Sequence, residues 1–306
     1  MSKCILGTLN FDYEYVSEKF SNDKICKFLK ICLENDVNDI DTAYYYNQTE
    51  SLLGNTKMMS LFNVSSKANP WFQNDFTNNK LGQLSSHGIT SQLNTTLKNL
   101  SIEMLDIYYM HCWDYETDIL ETLKTFDTFY RKEKFKRFGV SNISYKQLLN
   151  IIDICDKEQL QFPTVYQGMY NIYCRKIEEI FPVIVDYNMS FIAYNPLAGG
   201  LLTGKYANSD SNLVDNSRFN GNAIYKTIYW NNDVITYSKD LNASMSLRWL
   251  KENKFVDGII MGASTENQLK NNINIIKYKT PLSNYEKTII KNFYDNTHIY
   301  APNYYY

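Results

Sequence analysis

The sequence predicts one (β/α)8 barrel, and three observations predict it. Eight short runs rich in β-branched, aromatic and aliphatic residues recur along the 306-residue chain, each ending in turn or polar residues. Segments with helical periodicity lie between most of these runs, and strands that alternate with helices pair in parallel. No linker or shift of composition divides the chain. Residues 1–306 are therefore expected to form a single domain, whose length suits a closed barrel better than an open sheet.

A predicted helix lies between most neighbouring strands. Strands are expected at residues 4–9, 38–43, 62–67, 105–110, 136–141, 164–169, 190–194 and 257–262. Apolar stripes predict helices over 23–35, 91–100, 119–130, 145–155, 175–185 and, more weakly, 283–292. The connection between strands 7 and 8, about residues 207–237, is polar, rich in asparagine and unusually long. Such a connection is expected to fold over the barrel mouth.

Composition excludes several classes of function. Lysine and arginine number 31 against 33 aspartates and glutamates, so no excess of positive charge exists for binding nucleic acid. Six cysteines form no CxxC pair and histidines number three, so no metal site is expected. No apolar run approaches the roughly 18 residues of a membrane span, and the first residues show no signal-peptide pattern. These features predict a cytoplasmic protein with reduced thiols and no membrane partner.

Polar side chains stand at three consecutive strand ends, where barrels of this kind carry their catalytic groups. Asp41, Lys67 and His111 follow strands about 4.8 Å apart, so their side chains are expected to converge. Tyr46 is close enough along the chain to fold over the same opening. The ammonium of Lys67 would lower the pKa of the Tyr46 phenol from about 10, and the carboxylate of Asp41 would hold that ammonium in place. His111 could orient a carbonyl oxygen. Singly, each residue could be structural; together they predict proton delivery to a carbonyl.

Two glycine-containing loops are candidates for binding a phosphate. The chain has no GxGxxG motif, and the segment from Gly200 to Tyr206 is one residue short of a P-loop. In barrels, phosphate often binds in the loops after strands 7 and 8. Residues 195–200 and 262–268 occupy these positions, and Ser264 or Thr265 can cap the following helix, whose N-terminus attracts anions. The alternative is an ordinary tight turn and an ordinary helix cap.

Together these residues resemble the aldo-keto reductase superfamily, in particular its aflatoxin-aldehyde and succinic-semialdehyde reductase branch. The resemblance covers nearly the whole chain and includes Asp41-Thr-Ala-Tyr-Tyr-Tyr46, Ser66-Lys67-Ala-Asn-Pro-Trp71, Leu105-Asp-Ile-Tyr-Tyr-Met-His111, residues 138–142, 163–171 and 194–206, and Pro302-Asn-Tyr-Tyr305. It implies NADPH-dependent reduction of aldehydes, and of some ketones, to alcohols, without a metal. The implied catalytic tetrad is Asp41, Tyr46, Lys67 and His111, with Tyr46 as the proton donor. The branch also suggests a homodimer.

The resemblance further implies which residues would bind NADPH or NADP. Ser141, Asn142 and Gln167 would hold the nicotinamide carboxamide, and Tyr194 would stack on the ring. The residues expected around the pyrophosphate are Asn195, Pro196, Leu197, Gly199, Gly200, Gly204 and Lys205. Ser264, Gln268 and Asn272 would face the adenosine phosphate and adenine. Many superfamily members carry a basic side chain where Gln268 stands, but the resembled branch does not, so NADP is still expected.

Two tryptophans and an arginine are candidates for determining substrate specificity. Trp71 and Trp113 follow two strand ends and would form aromatic walls of the pocket, or else merely cap the barrel. Arg218 matches an arginine that this branch uses to hold the carboxylate of acidic aldehydes; the alternative is a surface ion pair.

The competing function is a nucleotide-binding regulatory subunit or redox sensor with weak or no turnover. Cys112, next to His111, would be open to oxidation if it is exposed.

Overall fold

Eight parallel strands close into a barrel in the order in which they occur along the chain. The computed structural model describes residues 2–12, 19–72, 80–207, 219, 222–278 and 280–305. The strands are Lys3–Gly7 (β1), Asp39–Asp41 (β2), Asn63–Ala68 (β3), Leu105–Met110 (β4), Phe135–Ser141 (β5), Val165–Met169 (β6), Ser190–Tyr194 (β7) and Gly258–Met261 (β8). Because β8 pairs with β1, the barrel is complete and the predicted fold class is confirmed.

Helices cover the outside of the barrel. Those within the described part of the chain are Asn22–Glu34 (α1), Thr49–Asn55 (α2), Ser86–Leu100 (α3), Ile119–Arg131 (α4), Tyr145–Lys157 (α5), Phe181–Asp186 (α6), Ala223–Tyr229 (α7), Asn232–Tyr237 (α8), Ala243–Glu252 (α9), Glu266–Tyr278 (α10) and Asn284–Thr297 (α11). Hydroxyl caps start several of them; Ser144 and Gln147, for example, form a reciprocal capping box at α5. None of these helices is long and apolar enough to cross a membrane.

The sequence patterns located every strand to within two residues at each end, but they missed several helices. α2 is too short to show a stripe, and in α10 the apolar Leu269, Ile273 and Ile276 are diluted by asparagines. The helix predicted over 175–185 is instead a 3-10 helix at Lys176–Ile180 followed by α6. Pro182 explains the break, because it cannot donate a backbone hydrogen bond to the preceding turn.

The two faces of each strand carry different side chains, and this alternation positions the site. Inside the barrel, Ile5, Ile107, Tyr109, Val165, Ile192 and Ile260 form a small apolar cluster. Lys67 is in register with Tyr109, and Tyr109 is in register with Gly139. A Cβ atom on Gly139 would lie 2.3 Å from the Tyr109 ring, so glycine makes room for that ring. One residue earlier, Ser66 is in register with Tyr108, which belongs to the larger core between strands and helices.

Candidate active site

A cavity of about 210 Å³ lies at the C-terminal ends of the strands. Many residues expected in the site line it, namely Asp41, Tyr46, Trp71, His111, Asn142, Gln167, Tyr194, Asn195 and Pro196. They come from the ends of β2 to β7, which a closed parallel barrel brings to one edge. The topology therefore gathers side chains that are up to 155 positions apart in the sequence, from Asp41 to Pro196.

A buried ion pair lies at the base of the cavity. The Nζ atom of Lys67 donates to Oδ1 of Asp41 at 2.6 Å and to the carbonyl of Thr42 at 2.8 Å. Gln167 donates from Nε2 to the other carboxylate oxygen of Asp41 at 2.7 Å. Burial lowers the pKa of Lys67, while the charge of Asp41 opposes that shift. Asp41 thus supports the charged form of a lysine that is 1% exposed.

Tyr46 lies near both this ion pair and His111. Its ring centre is 5.4 Å from the Lys67 Nζ atom and 6.2 Å from the centre of the His111 ring. The loop that carries Tyr46 is held by backbone hydrogen bonds from Tyr46 to Ala43 and from Thr49 to Tyr46, both 2.9 Å. The geometry can therefore place a phenol, an ammonium and an imidazole around one small ligand.

His111 is a neutral imidazole in this environment. Burial, and after it the charge of Lys67, lowers the pKa of His111 well below its ordinary 6.5. Its backbone is fixed at both ends, because its N–H donates to Ala68 at 2.8 Å and its carbonyl accepts from the Asn142 side chain at 2.9 Å. The buried Nδ1 atom has no hydrogen-bond partner in the described part of the protein. A neutral, fixed ring can orient a ligand but carries no ionic proton to deliver.

Aromatic rings form one wall of the cavity. The Trp71 ring lies 5.4 Å from His111 and 5.1 Å from Tyr45, between ring centres. Trp113 instead packs against the main hydrophobic core and does not line the cavity as far as the structure describes it. Arg218 lies outside the described residues. From the β7–β8 connection, Tyr225 and Ile228 line the cavity.

Two of the residues expected to hold a nicotinamide, Asn142 and Tyr194, are hydrogen-bonded to each other. Asn142 has a left-handed backbone, with φ of 53°, and its Oδ1 atom accepts from the Tyr194 hydroxyl at 2.6 Å. Ser141 is buried, and its Oγ atom has no partner within the described residues. Buried hydroxyls are normally hydrogen-bonded, so this one fits a ligand that supplies the missing partner.

The segment after β7, where a phosphate was predicted to bind, contains three glycines with left-handed backbone. Gly199, Gly200 and Gly204 have φ angles of 68°, 100° and 74°, which favour glycine. Asn195 is held by two hydroxyls, accepting from Tyr225 at 3.2 Å and donating to Tyr229 at 3.0 Å. Leu197 packs against the main core, while the Lys205 ammonium lies 4.7 Å from the Tyr206 ring centre.

The loop after β8 leads into the N-terminus of α10. Thr265, rather than Ser264, caps this helix, since its Oγ1 atom accepts from the Gln268 backbone at 3.2 Å. The side chain of Gln268 in turn accepts from the Ser264 backbone at 2.9 Å, and Asn272 donates to the Gly262 carbonyl at 3.4 Å. Gly262 lines the cavity, so this helix end adjoins the site.

Ten residues that line the cavity were not predicted individually from the sequence, and none of them is charged. The cavity is also lined by Gly7, Thr8, Leu9, Asn10, Tyr45, Met169, Tyr225, Ile228, Ile260 and Gly262. Asn10 is 6% exposed and its Oδ1 atom has no partner among the described residues. Its position just past strand 1 could have drawn attention to it, because every strand end contributes to the mouth of a closed barrel.

Cys112 does not meet the condition for oxidation, which was that its thiol be exposed. It is 3% exposed, and burial raises the pKa of its thiol well above the usual range. Such a thiol has little of the reactive thiolate, so oxidation here is disfavoured. No group of three or more histidine, cysteine or acidic side chains in the described ranges could hold a metal ion.

Eight parallel strands closed into a barrel, with polar side chains at their C-terminal ends, define a (β/α)8 barrel with a candidate active site at its mouth. The sequence model of the aldo/keto reductase family matches residues 3–295, and the chain belongs to that family, as its motifs predicted. Membership of this family supports oxidoreductase activity on carbonyl groups. Aldo-keto reductases use nicotinamide cofactors.

Individual relatives agree with this assignment. Aflatoxin B1 aldehyde reductase member 2 of Rattus norvegicus is 33% identical over 79% of this chain and 72% of its own length. Aflatoxin B1 aldehyde reductase member 4 of Homo sapiens is 32% identical over 89% of each chain. Among solved structures, the holo form of aldo-keto reductase AKR11C1 from Bacillus halodurans has a TM-score of 0.71 and 20% identity, covering 95% of this chain and 92% of that one. This last similarity concerns the fold.

Proposed function

We propose that this protein reduces aldehydes, and some ketones, to alcohols, with NADPH as the hydride donor and Tyr46 as the proton donor. The observation that carries the proposal is the buried Asp41–Lys67 ion pair beside Tyr46, on a cavity shared with His111. A buried ion pair is expensive to maintain, and placing one beside a phenol is useful where that phenol must give up a proton.

Tyr46 delivers the proton to the carbonyl oxygen. The positive charge of Lys67 stabilises the phenolate that forms as the proton leaves. Asp41 holds Lys67 from one side at 2.6 Å, and Gln167 holds Asp41 at 2.7 Å, so the charge stays at a fixed position. This fixed charge needs no reorganisation during the reaction, which is how preorganised sites lower a barrier.

His111 orients the carbonyl. Because it is neutral, it can donate one hydrogen bond to the carbonyl oxygen without competing with Tyr46 as the acid. Trp71 and Tyr45 pack beside it and restrict where the substrate can lie. The pocket therefore favours a flat or slender aldehyde.

The chain's cofactor-facing residues fit a dinucleotide. When bound, NADPH supplies the hydride to the carbonyl carbon. Ser141, Asn142 and Gln167 would hold its carboxamide end and Tyr194 its ring, while the glycines after β7, with Asn195 and Lys205, would face the pyrophosphate. Ser264, Gln268 and Asn272 would lie toward the adenosine end. The unpartnered Ser141 hydroxyl and the left-handed glycines support this assignment.

The proposal is tested by nicotinamide oxidation in steady state, with NADPH or NADH and with 4-nitrobenzaldehyde or succinic semialdehyde. Turnover with NADPH is expected, and Tyr46→Phe should lower kcat by about a hundred- to ten-thousand-fold while leaving the Kd for NADPH nearly unchanged. Tyr44→Phe is the matched control, because Tyr44 does not line the cavity as described, and it should keep turnover. Undiminished kcat in Tyr46→Phe would remove Tyr46 from its role. Tight NADPH binding without turnover of either aldehyde would favour the regulatory or sensor alternative.

Arg218 is proposed to hold the carboxylate of acidic aldehydes. Loss of a charge-assisted hydrogen bond costs about 1.5–3 kcal/mol, so Arg218→Ala should raise KM for succinic semialdehyde by roughly ten-fold or more. The neutral 4-nitrobenzaldehyde is the internal control and should show an unchanged KM. Equal effects on both substrates would assign Arg218 a structural role.

A further inference from the structure

A buried carboxyl group lies behind the strand that carries Lys67. Glu50, the second residue of α2, is 3% exposed. Its Oε1 atom accepts from the Ser66 hydroxyl at 2.6 Å, and its Oε2 atom accepts from the Thr96 hydroxyl at 3.0 Å. Ser66 belongs to β3 and Thr96 to α3, so one carboxyl group joins three elements. The mechanism described above does not use it.

This carboxyl connects the two parts of the proton-delivery apparatus. Glu50 follows Tyr46 by four residues, at the start of the helix that the Tyr46 loop leads into. Its partner Ser66 directly precedes Lys67 on β3. A shift of Glu50 would therefore move the proton donor relative to the ammonium beside it.

We propose that Glu50 is a positioning residue for the reductase reaction: it ties the Tyr46 loop to β3, and its ionisation slows proton transfer by weakening the field of Lys67 at Tyr46. This inference rests on the proposed function, since it concerns the same proton. It adds a group that touches neither substrate nor cofactor and acts through Tyr46 and Lys67.

Because Glu50 is buried, its charge is expected to change at a higher pH than that of an exposed glutamate. Burial raises the pKa of Glu50 from its ordinary 4.5 to about 7, against the opposing effect of its two hydroxyl donors and of Lys67. Among the groups around it, Lys67 of β3 is the cation, and Tyr108 of β4 stays a neutral phenol because burial raises its pKa. The group of α3 that contacts Glu50 is the Thr96 hydroxyl. Helix α1 also packs against α2, and its titratable buried group is the Cys32 thiol, whose pKa burial raises to about 12.

The sign of the effect follows from these charges. At acid pH Glu50 is neutral, and the field of Lys67 at Tyr46 is opposed mainly by Asp41. As pH rises through about 7, Glu50 becomes negative and reduces that field, so the phenolate is less stabilised and reduction slows. Asp41 is the nearer counter-charge, so the change should be modest, about two- to ten-fold in kcat.

The experiment is the pH dependence of kcat for aldehyde reduction, with saturating NADPH, in four proteins. The wild type should show a decrease in kcat near neutral pH, and Glu50→Gln, which is similar in shape but cannot ionise, should lack it. Thr96→Val should move the decrease to higher pH, because the carboxylate loses a hydrogen bond that favours its charge. Asp127→Asn, a buried carboxyl on α4 that bonds to Arg131 and Gln161, is the matched control and should keep the wild-type profile.

These outcomes separate the two proposals. A decrease that persists unchanged in Glu50→Gln, at the same pH and amplitude, refutes the role of Glu50 and leaves the reductase function intact. Absence of turnover in the wild type at every pH refutes the reductase function and this inference with it. Should Glu50→Gln fail to fold, Thr96→Val decides, since an unmoved profile there also overturns the proposal.

Discussion

Replacing Lys67 by methionine removes the charge at the centre of the site while keeping most of the side-chain volume. At the observed 2.6 Å, Coulomb's law with an effective dielectric constant of about 20 gives an attraction of about 6 kcal/mol between Lys67 and Asp41. The loss of this attraction in the variant is partly offset, because the variant no longer has to bury an ammonium. Removing one partner of a buried pair typically costs about 3–5 kcal/mol. Since Asp41 keeps one donor, Gln167, we expect a loss in this range.

Urea unfolding at neutral pH measures this loss in the free energy of unfolding, and the same preparation is assayed for aldehyde reduction. Lys67→Met should lose activity to about the level of Tyr46→Phe. Adding Asp41→Asn to Lys67→Met should restore most of the stability, because it removes the unpaired charge, without restoring activity. Acid should also reduce the deficit of the single variant, since a lone buried carboxylate then takes up a proton.

An exposed ion pair provides the matched control for Lys67→Met. Lys157 and Asp153 are 2.7 Å apart on the surface of α5, so Lys157→Met should cost no more than about 1 kcal/mol and leave activity unchanged. A loss of stability in Lys67→Met as small as that in Lys157→Met would refute the importance of the buried pair. A double variant no more stable than Lys67→Met alone would show that an unpaired carboxylate is not the cause of the loss.

Three further predictions follow from burial and packing. Because folding raises the pKa of Glu50 from 4.5 to about 7, the native state binds its proton more tightly, and stability should fall by about 3 kcal/mol as pH rises through that window. Urea unfolding across this range should show that dependence in the wild type and not in Glu50→Gln; identical curves would contradict it. Cys26 is the least buried of the six thiols, so native protein should react with a thiol reagent there before Cys112, and peptide mapping that finds Cys112 first would disprove this. In Gly54→Ala, the new Cβ atom would lie 1.9 Å from the Asn99 carbonyl, so α2 must move away from α3 and unfolding should become easier by about 1–3 kcal/mol; an unchanged urea midpoint would refute this.

Much of the architecture is a local property of the chain. Strand runs such as 105–110 and 190–194 coincide with β4 and β7, because a buried parallel strand needs consecutive apolar residues. Because the strands alternate with helices, they pair in parallel, and this leaves few ways to close the sheet. Since the C-terminal ends of all strands meet at one edge, the shared location of Asp41, Lys67 and His111 could also be predicted from the sequence.

Other features depended on contacts between distant parts of the chain. No periodicity indicates that Gln167 bonds to Asp41, 126 positions away, or that Trp113 turns to the core while Trp71 turns to the cavity. The direction in which a side chain points depends on the packing around it, and that packing is formed by residues far apart in the sequence.

The chemistry of individual groups was decided in the same way. Sequence alone determined that this chain forms a (β/α)8 barrel, which residues stand at its strand ends, and which family it belongs to. Tertiary structure decided that burial raises the pKa of the Cys112 thiol, lowers the pKa of His111 and raises the pKa of Glu50 to about 7. The physical reason is that hydrophobic patterning is encoded by near neighbours, whereas the pKa of a side chain depends on how much water and which charges the whole fold leaves around it.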